Sequence, residues 1–291
     1  MAALEVLGIV APVFMLIGLG WLLGSLRRID VTSLTEVVVY LSGPALVFRA
    51  LTHDRLELAE IGVLASGSLF IVLAVGGMVA LAARGVGRRP GALYLPAMFM
   101  NAGNMLLPLS LFAFGPEGLR KAAVIFATMC LLQSTLGVAI ASGRRDFREA
   151  LRLPYIYAVA AAFGLRALDL AVPKLLERPI ELVADTAVPL MLLALGLRLR
   201  TVVIGSLTRP LLITVARVGG GYAAASVFVW TMGIHDTTRA VLLLASVMPA
   251  AVVNFVFAEK YGNESGDVAT AVFASTVVSI FTTPLVLAFG I

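Results

Sequence analysis

Apolar residues in this chain neither alternate with polar ones nor keep to one helical stripe; they run on for about twenty positions at a time, with charge between the runs. A helix of roughly 20 residues crosses about 30 Å of hydrocarbon. Charged and turn-forming residues cluster at Arg27 to Asp30, His53 to Glu60, Arg84 to Arg89, Pro116 to Lys121, Arg144 to Arg152, Lys174 to Asp185, Arg198 to Arg209, His235 to Arg239 and Glu259 to Asp267. Nine breaks leave ten segments, each predicted as a membrane helix. A barrel would need alternating segments of about ten residues, and runs such as Val37-Val-Val or Ala158-Val-Ala-Ala-Ala do not alternate. The longest connection is expected near residues 173 to 182, marked by Pro173 and Pro179. The predicted class is an all-α polytopic membrane protein of ten transmembrane helices.

The fourth segment departs from this pattern. Asn101-Ala-Gly103-Asn104-Met-Leu-Leu-Pro108 sets two Asn, a Gly and a Pro inside an apolar run. Gly weakens a helix, and Pro removes a donor and clashes with the turn before it. Backbone groups freed at membrane depth are tolerated only where protein or a watery cavity satisfies them. The ninth segment carries a matching interruption, Met248-Pro249-Ala-Ala-Val-Val-Asn254. Other features also recur at a nearly constant offset. Pro44 answers to Pro189, and Val124-Ile-Phe126-Ala-Thr128 answers to Ala271-Val-Phe273-Ala-Ser275. Residues 1–145 and 146–291 are therefore read as two five-helix repeats. An odd number of helices per repeat inverts the second copy, and paired interrupted helices point to a midplane binding site.

Composition agrees with a membrane protein: 60% of residues are apolar, 13% are charged, and the mean hydropathy is +1.01. Arg27 and Arg28 follow the first apolar run and no basic region precedes it, so that run is read as a membrane helix and not a cleaved signal. Cys130 is the single cysteine, which excludes an internal disulfide and a cysteine metal site. Lysine and arginine favour the loops after the odd-numbered segments. The positive-inside rule then puts both termini outside the cytoplasm. The net charge of +5 reports this orientation and points to no nucleic-acid partner.

In a broken helix the second half offers free N–H groups and a positive dipole end, whereas the first half offers bare carbonyls. Asn101, Asn104 and Asn254 add uncharged donors and acceptors beside such ends and are read as substrate contacts, and Gly103, Pro108 and Pro249, which make the breaks, are counted with them in the substrate-binding site. Each Asn has a structural reading too, as a helix–helix hydrogen bond. Arg217 lies about nine residues inside the eighth segment, too deep to snorkel easily. It is read as a counter-charge for an anion, or as the partner of a carboxylate such as Glu36 or Asp185. Gln133, with Ser134 and Thr135, is a further polar candidate. Glu259 is read as a proton-coupling carboxylate or as an interfacial charge beside Lys260, and His53 and His235 as loop residues. No phosphate-binding loop, His-Glu-x-x-His or nucleophile elbow is present, so no enzyme, metal or cofactor is expected.

Asn101-x-Gly-Asn104-x-x-x-Pro108 followed by Gly115, with Pro249, Ala258-Glu-Lys-Tyr-Gly262 and Ala187-Val-Pro-Leu-Met-Leu-Leu-Ala-Leu-Gly196, resembles the auxin efflux carrier family of membrane transporters, in a bacterial type without a long central loop. The resemblance implies a fold like that of bile acid sodium symporters, with helices 4 and 9 broken and crossing. It implies a scaffold of helices 1, 2, 6 and 7 and a mobile transport domain of helices 3 to 5 and 8 to 10. It also implies elevator-type alternating access and a homodimer. Bacterial relatives are associated with malonate and malate, and plant relatives with indole-3-acetate. The expected function is secondary transport of a small organic anion across the cell membrane. Proton or sodium coupling stays open, and the alternatives are a sodium-coupled symporter of bulkier bile-acid-like anions or a non-transporting membrane sensor.

Overall fold

The computed structural model describes residues 3–52, 56–86, 93–143, 152–262 and 264–290, all helical or irregular apart from one isolated bridge. Helix α1 spans Ala3–Leu26, α2 Val31–Thr52, α3 Leu58–Val86 and α4 Tyr94–Met98. A continuous run, α5, follows over Ala102–Ser142. Then come α6 at Pro154–Ala167, α7 at Lys174–Arg200, α8 at Thr208–Thr231, α9 at Asp236–Ser246, α10 at Val253–Lys260 and α11 at Ser265–Gly290. Among the described residues, seven runs are long and apolar enough to cross a membrane: α1, α2, α3, α5, α7, α8 and α11. This is a multi-span membrane protein.

Local chemistry sets the starts, bends and stops. Asp30 caps α2 by accepting from the Thr32 and Ser33 amides, and the Ser33 hydroxyl together with those amides holds its carboxyl below the ordinary value. Wide π turns at Val38–Ser42 and Ala102–Leu106 lie just ahead of Pro44 and Pro108. A proline cannot donate to the turn before it and its ring pushes that carbonyl away, so the helix widens there without stopping. At Gly115 the backbone turns left-handed, with φ of +63°, and Pro116 restarts the helix with its preset φ.

Two expected connections are helical instead. Residues Pro116 to Lys121 form the first turns of the second half of α5, and residues Lys174 to Asp185 form the first half of α7. In the first case Lys121 is buried because it has partners on two other elements as well as on its own helix. Its Nζ lies 2.7 Å from Glu60 of α3 and 2.7 Å from Glu117, and it donates to Thr238 of α9 at 3.0 Å. In the second, Pro173 occupies the N-cap, outside the helix, where its missing N–H costs nothing.

Lys121→Met is expected to lower stability by about 2 kcal/mol. That is less than the several kcal/mol of an orphaned buried charge, because the Glu60 and Glu117 side chains left behind are 24% and 49% exposed and can take up water. Replacing both glutamates by alanine strands the buried ammonium and should cost more. Thermal unfolding in detergent ranks the two variants, and the reverse order would refute this account of the cluster.

Helix α1 packs most extensively on α7, and α2 on α6 and α7. In the other part of the molecule α3 packs on α8, α9 on α5, and α11 on α8 and α10. Between them, around α4 and the start of α5, Leu95, Phe99, Met100, Met105, Leu106 and Leu107 are fully buried.

Candidate functional site

Helix α4 ends at Met98, and Phe99 is extended (φ −102°, ψ 111°). Helix α9 ends at Ser246, and α10 begins at Val253. The two interruptions lie side by side. Met100 and Ala250 form an antiparallel bridge, in which the Asn101 amide donates to the Pro249 carbonyl at 2.7 Å and the Ala251 amide to the Phe99 carbonyl at 3.0 Å. Buried backbone groups released by one break are thus paired by the other. The Ala250 amide finds the Ser275 hydroxyl at 3.0 Å, and Asn254 donates from Nδ2 to the Phe99 carbonyl at 3.0 Å.

On the other side of the break Asn101 caps the helix that follows, its Oδ1 accepting from the Asn104 amide at 3.0 Å. Asn101, Gly103 and Asn104 line a cavity of about 400 Å³ whose other walls come from α2, α7, α10 and the second half of α5. The lining is mostly apolar, with Phe126, Met129 and Phe257 among it. Two buried amide groups on that lining lack partners: Nδ2 of Asn101, a residue 4% exposed, and Nε2 of Gln133, 8% exposed. Gln133 opens a π turn, Gln133–Gly137, that widens α5 at this level.

The remaining candidates lie elsewhere. Pro108 and Pro249 shape the backbone and do not line the cavity, and Asn254 is fully buried behind it. Arg217 is also fully buried and off the cavity wall. Its guanidinium donates to the carbonyls of Ala97, Met98 and Ser246, which corrects the carboxylate pairing considered from sequence. Asp185 instead pairs with Arg49. Glu36 is exposed on the cavity lining and Glu259 is exposed off it. His235 is exposed, while His53 lies outside the described residues.

Arg198, in the last turn of α7, is the lysine or arginine that lines the cavity among the described residues. Sequence reasoning assigned it to a loop. The available signal was its position two residues after the apolar stretch Ala187 to Gly196 and two before the helix runs out.

A family model described as membrane transport protein matches residues 138–287, just over half of the chain. The chain belongs to the membrane transport protein family. This membrane transport protein is 26% identical to a protein of Methanothermobacter thermautotrophicus named as a transporter, over 95% of each chain. It is 23% identical to a transporter of Methanocaldococcus jannaschii, covering 88% of this chain and 89% of the relative. A protein of Rhizobium meliloti named "Putative malonate transporter" is 26% identical, with 96% and 93% covered. The matched family region holds the α9–α10 interruption and Arg217, whereas Asn101 lies in the half that precedes it. The protein is a membrane transporter of this family.

Proposed function

We propose that this transporter is a secondary carrier for a small organic acid, whose carboxylate docks on Asn101 and Gln133 at the mouth of the paired breaks. The observation that carries the reading is the pair of unpartnered side-chain N–H donors on two residues that line the cavity. A buried donor left unsatisfied costs about 1–3 kcal/mol, and a carboxylate supplies acceptors for both. The N-terminal end of the helix beginning at Ala102 adds a positive dipole, and Arg198 offers a second anchor for a dicarboxylate. Phe126 and Phe257 suit the apolar body of an indole acid equally well.

In this proposal the fourth predicted helix is α4 plus α5 up to Gly115, the fifth is the rest of α5, and the ninth is α9 plus α10, giving ten helices in a 5+5 inverted repeat. Helices α1, α2, α6 and α7 form the scaffold and the others the moving body, in a homodimer working by an elevator motion. The packing of α1 on α7 and of α3 on α8 supports that division. The cavity lining reaches the ends of α7 and α10 and the starts of α2 and α6, the side rich in arginine. By the positive-inside rule this side is cytoplasmic, both termini lie outside, and the conformation is open inward.

Counterflow of labelled malonate, malate and indole-3-acetate into proteoliposomes tests the carrier reading. Flux of at least one acid is expected, and Gln133→Ala should raise its half-saturating concentration about tenfold, the worth of one hydrogen bond to a charged group. Saturable binding without flux would favour a sensor, and unchanged affinity in Gln133→Ala would refute the docking site.

A further inference from the structure

Arg217 is the largest fully buried side chain in the described protein, and a charge at membrane depth needs a reason. Its Nη1 donates to the carbonyls of Ala97 at 3.1 Å and Met98 at 2.7 Å, and Nη2 to that of Ser246 at 3.2 Å. These carbonyls close α4 and α9, the first halves of the two interrupted helices. Both half-helices therefore point their negative ends at one guanidinium. Helix α9 brings roughly half a negative charge and the shorter α4 a smaller share.

The surroundings are shaped for this contact. Arg217 sits in a π turn, Ala216–Gly220, which swings the side chain out of the regular α8 register toward the breaks. A Cβ at Gly221 would overlap both the guanidinium and the Ser246 carbonyl, so glycine is needed for the approach. Among the described residues no carboxylate bonds to Arg217, and each acceptor it uses there is a main-chain oxygen.

We infer that Arg217 is a resident cation of the crossover. It fills from within the chain the carbonyl-lined pole that would otherwise draw a small cation from solution. The paired breaks then stand without a bound alkali ion, and substrate crosses without one. The last clause rests on the carboxylate-carrier reading, whereas the structural one does not.

The full-length protein in lipid nanodiscs, without substrate, is melted in equal concentrations of sodium, potassium and choline chloride. Wild type is expected to give one midpoint in all three salts. Arg217→Met, which keeps the volume and loses the charge, should melt about 10 °C lower, with Arg217→Lys between the two. Arg217→Ala opens a guanidinium-sized space, and millimolar guanidinium should restore part of its midpoint where equal choline does not. A wild-type midpoint or flux that requires sodium would overturn the inference, as would Arg217→Met melting as high as Arg217→Lys. Should the neutral variants not fold, the wild-type salt comparison still decides. Because melting needs no substrate, a failure to transport any carboxylate would remove the carrier reading and leave this result standing.

Discussion

Gly196→Val is expected to leave little folded protein, with a loss of about 3 kcal/mol or more and a thermal midpoint at least 10 °C lower. At Gly196 a Cβ would overlap the Ile17 carbonyl and come within 2.8 Å of the Trp21 amide nitrogen. Across the same contact a Cβ on Gly20 would strike the Leu193 carbonyl. Here α1 and α7 meet backbone on backbone, and no flexible side chain can yield. Close approach through glycine is how helices associate where lipid supplies no hydrophobic drive. Helix α7 carries Met191, Ala194 and Arg198 on the cavity wall, so parting it from α1 also opens the site. Gly18→Ala is the control, since nothing lies within 4 Å of its Cβ. Fluorescence-detected size exclusion after a heating series separates the two, and a Gly196→Val midpoint equal to that of Gly18→Ala would refute the contact.

Asn101→Asp should abolish carboxylate binding in a protein that still folds. Aspartate is as good an N-cap as asparagine and suits the positive end of a helix, so the hydrogen bond to the Asn104 amide survives. What changes is the unpartnered Nδ2, replaced by an oxygen that repels the substrate. Two like charges about 4 Å apart cost about 4 kcal/mol at an effective dielectric constant of about 20, roughly a thousandfold in affinity. Calorimetric titration with the best transported acid reads this directly. Wild-type affinity in folded Asn101→Asp would remove the residue from the site.

The features legible in the sequence were those that residue type announces. Two Asn, a Gly and Pro108 in an apolar run flagged the first break, and Pro249 the second; the structure brings them together through Met100 and Ala250. Arg217 was conspicuous for the same reason, as a charge among apolar residues. Its partners were not legible, because a bare carbonyl at a helix end has no letter in the sequence, whereas Glu36 and Asp185 do. Charge misled at Pro116 to Lys121, where a lysine that reads as a loop residue is buried by Glu117 one turn back in its own helix and by Glu60 and Thr238 from other parts of the fold. Arg198 was missed because its place on the cavity depends on how α7 lies across α2, which helix boundaries do not convey.

Two of the hydrogen bonds that join the breaks, Asn101 to Pro249 and Ala251 to Phe99, are made by main-chain atoms alone, beside the side-chain contacts of Asn254 and Arg217. Side-chain substitution cannot delete such bonds unless it introduces a proline. The walls around the joint, by contrast, are mostly side chains. If the proposed carrier reading holds, descendants of such a chain could exchange Phe126, Gln133 or Arg198 and so change cargo while those main-chain bonds stay in place.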